Sequence, residues 1–322
     1  MTVYYVDTDG SGASAPYATW ATAAQSIDTI IAIGLTGGGD IIYCQGAAAD
    51  SAAGRATFAL STALDNPTKI IGVKNGTTNA PPVPSDLCTR AAADLFVIVD
   101  TTSGITFNGD YHIHGLSLTA GGSGDIELKP LYQGSASECY FKPADGFNIY
   151  NGSHSYRVIN CEIDLSNSAN SHILFKGSGY GSDREVLGGV VTFHASQNGL
   201  FHALSGSGFR MVGVDLSGMP AACELHRGGS NGDPFINCHG NVFRNNFTKN
   251  KNDQGHNPHG NPNGIGLKNL NGNGGGNGGC GDIDQINADE DGNNQTLVII
   301  LEILDKLNTP PVLIDEMLDS DS

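Results

Sequence analysis

Three acidic residues are the candidates for acid–base catalysis: Asp164, Asp215 and Glu162. Asp164 and Asp215 each directly follow an apolar residue that recurs along the chain. If the recurring segments are stacked parallel strands, two strand spacings separate these carboxylates by roughly 9–10 Å, near the upper limit for the carboxyl pair of an inverting glycosidase. Glu162 is an alternative partner in such a pair. The opposite interpretation, that these residues are only the polar surface of a solenoid, stays open.

Two further groups have residue types that bind metal ions. Asp289 and Asp291 lie in a segment that resembles the start of a calcium-binding loop, but Val298 stands where an EF-hand has its glutamate. The sequence therefore excludes an EF-hand and leaves a looser calcium site open. His112 and His114 share one face of a predicted strand, although the predicted inward position of His114 favours packing or a buried hydrogen bond. The cysteine and histidines within residues 238–259 lack the spacing of a zinc site.

These candidates lie in a chain with an irregular repeat. Six positions align with gaps of 25, 22, 28, 23 and 28 residues: His114, Cys139, Cys161, Gly189, Val212 and Gly240. Two residues later every repeat has an apolar side chain: Leu116, Phe141, Ile163, Val191, Val214 and Val242. A second strand recurs around Ile126, Ile149, Ile173, Leu200 and Cys223. Alternation inside such a long period predicts stacked units that bury their apolar faces only together.

The repeat predicts an all-β fold, a right-handed parallel β-helix or solenoid, over residues 46–247. Uneven repeat lengths favour this architecture, because extra residues can bulge out as turns without disturbing the stacked strands. The inward side chains are those of the apolar column. The next residue in each repeat then forms an outward column: Ser117, Lys142, Asp164, Thr192, Asp215 and Phe243.

Both ends of the chain differ from the repeat. Residues 1–45 are predicted to form a strand and a capping helix, with the helix over residues 16–33 because Trp20, Ile27 and Ile30 fall on one stripe. Residues 248–281 form a linker rich in Gly and Asn. Residues 282–322 are predicted to form an acidic helical tail. An apolar stripe on its predicted helix over 296–307 is expected to dock on another chain or on the end of the solenoid: Leu297, Ile300, Leu301, Leu304 and Leu307.

Composition limits the classes of function. The 322 residues carry a net charge of −17, which argues against nucleic-acid binding. No segment resembles a signal peptide or a membrane span. The seven cysteines are odd in number and are expected to be reduced, as in a protein made in the cytosol. Cys139 and Cys161 share one register; a stacked pair of thiols is expected there, and a disulfide stays open.

The N-terminal residues carry a resemblance to a known family. Tyr4, Tyr5, Val6 and Asp7 precede the sequence from Tyr17 to Trp20 with Ala23 and Ala24, and then the strand that begins at Gly39 and Asp40. This order resembles the opening of the pectate-lyase-like superfamily and of phage tailspike β-helices. The resemblance implies the β-helix fold. It does not decide the activity, because lyases, hydrolases, epimerases and virion proteins share that fold.

The resemblance also sets what we expect of the function. The lyase members use an aspartate cluster for calcium and an arginine base on one sheet, and Arg184, Arg210 and Arg227 fall in unrelated registers. We therefore expect a structural virion protein of a tailed phage, a capsid decoration protein or small spike, without a required cofactor. Resembled spike proteins imply a homotrimer in contact with other virion proteins. The alternatives are a polysaccharide lyase or glycoside hydrolase acting along the solenoid groove, and a carbohydrate-binding solenoid without turnover.

Overall fold

The computed structural model describes the chain from residue 1 to residue 243, with gaps. The gaps are residues 36–38, 55–56, 61–65, 91–94, 152–154, 169–171, 178–183, 198, 204–207, 221–222, 227–234 and 240–241. The predicted linker 248–281 and the acidic tail 282–322, with Asp289, Asp291 and the apolar stripe from Leu297 to Leu307, lie outside the described residues.

The described residues form 24 short strands and little helix. The first eight strands are β1 Val3–Asp7, β2 Ile41–Gln45, β3 Asp50–Ala52, β4 Phe58–Ala59, β5 Thr68–Gly72, β6 Phe96–Asp100, β7 Ile105–Asn108 and β8 Tyr111–His114. The next eight are β9 Leu116–Ala120, β10 Ile126–Lys129, β11 Gln133–Ser137, β12 Tyr140–Lys142, β13 Gly146–Asn151, β14 Ser155–Ile159, β15 Glu162–Leu165 and β16 His172–Gly177. The last eight are β17 Arg184–Leu187, β18 Val190–Phe193, β19 Gly199–Ala203, β20 Gly208–Val212, β21 Asp215–Leu216, β22 Glu224–His226, β23 Phe235–His239 and β24 Val242–Phe243.

The strands build three parallel sheets that the chain visits in rotation. Sheet A has the order β1-β2-β5-β8-β11-β14-β17-β20-β23, sheet B runs from β3 through β6 and β9 to β24, and sheet C from β4 through β7 and β10 to β22. From β2 to β21 each strand pairs in parallel with the third strand after it, whereas β1 pairs with β2. We call one circuit through the three sheets a coil. This topology is compatible with a parallel β-solenoid.

The predicted apolar column is buried. Leu116, Phe141, Ile163, Val191 and Val214 are each at most 2% exposed and belong to one continuous core. The side chain of Val242 lies outside the description. The prediction that these positions face the interior is therefore confirmed wherever the structure describes them.

The predicted register is partly wrong. Phe141 lies opposite Ile163 and Ile163 opposite Val191, as expected, but Phe141 pairs on its other side with Leu118 rather than Leu116. At the far end Val242 pairs with Asp215 rather than Val214. The shift at Phe141 is of two residues, which leaves every side chain on the same face of the sheet, so alternation of apolar and polar residues cannot detect it. The shift at Val242 is of one residue.

Two tyrosines fill the interior beneath sheet A. Tyr111 and Tyr156 are fully buried, and their rings meet edge to face with centroids 6.0 Å apart. Gly134 lies between them in the sheet. A Cβ added at Gly134 would lie 2.6 Å from Cε2 of Tyr156. The strand therefore needs glycine here to leave room for the two rings.

The predicted N-terminal helix is much shorter than expected. A 3₁₀ turn spans Trp20–Thr22 and helix α1 spans only Ile27–Ala32, with Ser26 as its N-cap, accepting a hydrogen bond from the Thr29 amide. Ala24 is extended instead: its N–H donates to the carbonyl of Tyr5, and its own carbonyl accepts from the Asp7 amide. These bonds satisfy the open edge of β1, which outweighs the helix propensity of alanine.

One corner of the coils is built from left-handed residues. Gly115, Glu138, Asn160, Gly188 and Gly213 join a strand of sheet A to one of sheet B, and all five have positive φ. Their amides continue the ladder between coils, for example from Glu138 to the carbonyl of Ile159 at 3.0 Å. These five coils thus turn at an equivalent position, where the left-handed backbone disfavours residues other than glycine and asparagine.

Candidate functional site

Asp164 lies on the outer face of β15 and is held by three partners. Its Oδ2 accepts a hydrogen bond from the Tyr140 hydroxyl at 2.6 Å and pairs with the Lys142 ammonium at 3.1 Å. Its Oδ1 accepts from the Ser166 amide at 2.9 Å. Although the residue faces outward, it is only 6% exposed. The carboxylate thus contacts residues of its own coil and of the preceding coil, and little of its surface remains open to a substrate.

The charges around Asp164 keep it ionised. Burial alone would raise the pKa of Asp164, but the hydrogen bonds from Ser166 and Tyr140, with the Lys142 ammonium, hold that pKa below its usual value. Burial and the hydrogen bond to Asp164 raise the pKa of Tyr140. Asp164 is therefore suited to a permanent negative charge and unsuited to general acid catalysis at neutral pH.

Asp164 and Asp215 do not share one column, contrary to the prediction. Lys142 pairs with Thr119, and Asp164 with Thr192, so these four residues form one outward column. Asp215 pairs with Val190, which in turn pairs with Glu162. The repeat is 25 residues long between β18 and β21 rather than the predicted 23, and this difference moves Asp215 into the neighbouring column.

The structure instead brings Glu162 and Asp215 into one column. They lie two coils apart with Val190 between them, which corresponds to roughly 9–10 Å between their backbones. Glu162 is half-buried and has a long contact of 3.5 Å from the Thr192 hydroxyl, and Asp215 accepts from the Ser217 amide at 2.9 Å. This pair, rather than Asp164 with Asp215, has the spacing that the sequence associated with a glycosidase.

Two histidine–serine pairs lie on the outer face of sheet A. His112 Nδ1 lies 2.7 Å from Ser135 Oγ, and His114 Nδ1 lies 2.9 Å from Ser137 Oγ, each pair joining β8 to β11. The prediction that His114 faces the interior is wrong, because Ile113 takes the inward position and His114 is half-buried on the outside. The sequence prediction missed both serines, since their roles depend on an offset of 23 residues between the two strands.

Both histidines are held neutral. Burial and then the charge of Lys69 lower the pKa of His112, against an opposing effect of Asp110. Burial lowers the pKa of His114, against a hydrogen bond to the Cys88 carbonyl and the charge of Glu138. A histidine in contact with a serine hydroxyl can activate that hydroxyl as a nucleophile. The backbone amides around it, such as that of Gly115, are already bonded within the sheet, so the described residues supply no oxyanion hole here.

The segment between β5 and β6 crosses this face and is fixed at several points. The Cys88 amide donates to the Gly72 carbonyl, and the Arg90 amide donates to the carboxylate of Glu138 at 3.0 Å. Further out, the Trp20 indole donates to the Asn79 carbonyl at 2.9 Å. His114, which contacts the Cys88 carbonyl, and Glu138 therefore serve as attachment points for this segment, which is a structural role.

Cys139 and Cys161 are free thiols stacked in neighbouring coils, as the sequence predicts. The other described cysteines, Cys44, Cys88 and Cys223, are also free and buried. Within the described part of the chain no group of three or more Cys, His, Asp or Glu side chains could hold a metal ion. The calcium candidates Asp289 and Asp291 lie outside that part of the chain. No helix in the described part is long and apolar enough to cross a membrane.

Comparison with known proteins adds no relative. No protein-family model matches the chain, and neither a curated protein nor a solved structure matches it.

Proposed function

We propose that this chain is a structural protein of a tailed-phage virion, a capsid decoration protein or a small spike, made in the host cytoplasm. In this proposal residues 46–247 form a right-handed parallel β-helix, with a helical cap before it and a helical extension after it. The protein associates as a homotrimer and contacts other virion proteins. The virion assignment rests on the resemblance of the N-terminal residues to phage tailspike β-helices.

The environment of Asp164 is the observation that favours a structural role over catalysis. A hydrolase needs one carboxyl group that stays protonated and one that stays ionised and accessible. Asp164 fits neither role. Its lowered pKa keeps it from staying protonated, and its contacts with Lys142, Tyr140 and Ser166 make it inaccessible. Its network ties two neighbouring coils together, which is what a structural solenoid requires.

A glycoside hydrolase is the second candidate, and a specific pair of residues favours it. Glu162 and Asp215 share one outward column across two coils, and Val190 between them leaves a small apolar floor. In that case these two residues, not Asp164, would carry acid and base roles on a glycan lying along sheet B. A solenoid that binds glycan without cleaving it would use the same surface.

One experiment separates these functions. Purified virions are probed with an antibody against the chain, and the purified chain is incubated with surface polysaccharide from the host while reducing ends are measured. The structural proposal expects the chain in the particle and no new reducing ends. The proposal is overturned if particles lack the chain, or if cleavage occurs and Asp215→Asn or Glu162→Gln abolishes it in a folded variant.

A further inference from the structure

Cys139 and Cys161 occupy equivalent positions in neighbouring coils, each directly before a strand of sheet B. Because Tyr140 pairs with Glu162, the two cysteines lie opposite each other. Parallel strands are about 4.8 Å apart, within the window of about 4.4–6.8 Å that disulfides span between Cα atoms. The two positions are therefore close enough to be bridged.

The Cys161 thiol also points toward the coil that carries Cys139. The Cys139 amide donates to Sγ of Cys161 at 3.4 Å, and the same sulfur lies 3.6 Å from the Ala136 carbonyl oxygen. Sγ of Cys161 thus reaches back over the coil that carries Cys139. Sγ of Cys139 in turn lies 3.2 Å from the Ser137 carbonyl oxygen. Only weak thiol hydrogen bonds would be lost if the sulfurs joined.

We propose that Cys139 and Cys161 are an oxidation site at which peroxide forms a reversible disulfide between two coils. One thiolate sulfur attacks a peroxide oxygen, the O–O bond breaks, and a sulfenic acid and water result after proton transfer. The second thiol sulfur then attacks the sulfenic sulfur, the S–S bond forms, and the S–O bond breaks with loss of a second water. Two thiols and one hydrogen peroxide thus give one disulfide and two waters.

The surroundings of the pair set the rate and the strength of this bridge. Cys139 is fully buried and Cys161 is 3% exposed, so peroxide reaches the pair slowly. Burial and the contact with Cys139 raise the pKa of Cys161, which keeps the reactive thiolate scarce. Parallel neighbours also hold their Cβ atoms slightly further apart than the usual 3.5–4.5 Å or so of a disulfide. The bridge therefore carries strain and is reduced readily by a dithiol.

Peptide mapping of the folded, full-length protein tests this proposal. The protein is treated with hydrogen peroxide, the remaining thiols are alkylated under denaturing conditions, and trypsin cleaves after Arg157, which places the two cysteines in different peptides. We expect a linked pair of peptides that is lighter by two hydrogen atoms than the sum and disappears on treatment with dithiothreitol. Cys44→Ala removes a different buried thiol and should leave the linked peptides, whereas Cys139→Ala should abolish them.

The proposal is overturned if the folded wild-type protein yields sulfinic or sulfonic acid at these cysteines without the linked peptides. It is equally overturned if the linked peptides form only when peroxide is added to the denatured chain. Because the wild-type map alone decides between these outcomes, a folding defect in Cys139→Ala does not affect the test.

Discussion

Asn160 donates its side-chain amide to the carboxylate of Glu138 across two neighbouring coils, and both residues have left-handed backbones with φ of +50° and +53°. Glycine takes the equivalent corner in three other coils, at residues 115, 188 and 213. The second carboxylate oxygen of Glu138 accepts from the Arg90 amide. Glu138 therefore accepts an unfavourable conformation in a place where its side chain joins three separate segments.

Glu138→Ala and Glu138→Gly should separate the loss of side-chain contacts from the strain of the left-handed backbone. Both substitutions remove the contacts with Asn160 and Arg90, at a cost of about 1–3 kcal/mol in the free energy of unfolding. Alanine keeps the strained φ, whereas glycine relieves it, so the glycine variant should be more stable than the alanine variant by about 1 kcal/mol. Chemical denaturation measures both. Equal stability of the two variants would mean that the corner is not strained.

Phe141→Ala should create a cavity in the core beneath sheet B. The ring of Phe141 is fully buried and lies 4.6 Å from that of Phe147, centroid to centroid. Truncation to alanine should lower the free energy of unfolding by about 3–5 kcal/mol, and Phe141→Leu should cost clearly less because it keeps most of the volume. Thermal and chemical unfolding of the two variants measure the difference. A loss below about 1 kcal/mol for alanine would contradict the packing described here.

The inward column was predictable from sequence because burial depends only on the two-residue alternation of a strand. Leu116, Phe141 and Ile163 follow that rule and are all buried. The register was not predictable to the same degree, since Leu116 and Leu118 are both apolar and either could lie opposite Phe141. The candidate site depended on the register between β18 and β21, where the repeat is longer than predicted. This is why Asp215 was placed in the column of Asp164 instead of in the column of Glu162.

Other features depended on contacts that no local pattern contains. Residues 23–24 have good helix propensity, yet Ala24 is extended because β1 offers it hydrogen bonds. Glu138 takes a left-handed conformation that sequence rules assign to glycine or asparagine. The pair of Lys142 with Asp164 was closer to being predictable, because the predicted column already placed the two residues in neighbouring coils.

Asp164→Asn should test whether this residue stabilises the coils. The substitution removes the charge that Lys142 and Tyr140 contact, and we expect the free energy of unfolding at pH 7 to fall by about 1–3 kcal/mol. Because the folded pKa of Asp164 lies below its unfolded value, its stabilising effect is present above about pH 4 and is lost as the pH falls through the folded pKa. Asp215→Asn is the matched control, because the described contact of its carboxylate is a local hydrogen bond from the Ser217 amide, which asparagine can also accept. Virion attachment should survive both substitutions.

Deleting residues 283–322 should weaken self-association or virion attachment while the strands stay folded. The predicted apolar stripe of Leu297, Ile300, Leu301, Leu304 and Leu307 needs a surface to cover it, and the Gly- and Asn-rich segment before it offers none. A flexible linker of ~35 residues reaches roughly 30 Å, enough to meet a second subunit. Sedimentation measures self-association, circular dichroism measures strand content, and a particle-binding assay measures attachment. Unchanged mass with unchanged attachment would exclude a docking role, and loss of strand signal would indicate a simple cap.

The two outer-face histidines should make the fold less stable in mild acid. Burial lowers the pKa of both His112 and His114, so the unfolded chain binds protons more readily than the folded protein. Their contribution to stability is therefore complete above about pH 6.5, the usual value for histidine, and is lost as the pH falls from there toward the folded pKa values. The charges that face them act in both directions: Lys69 lowers the pKa of His112, whereas Asp110 and Glu138 raise the pKa values of His112 and His114 respectively.

The double variant His112→Gln, His114→Gln isolates this effect, because glutamine can still accept a hydrogen bond from Ser135 or Ser137 and does not titrate. Urea denaturation at pH 7.5, 6.5 and 5.5 or so gives the free energy of unfolding across the histidine range. We expect the wild-type value to decrease from the highest to the lowest pH and the decrease to be smaller in the double variant. Equal decreases in both proteins would assign the acid sensitivity to other groups, and a wild-type protein that becomes more stable in acid would contradict the lowered pKa values of the two histidines.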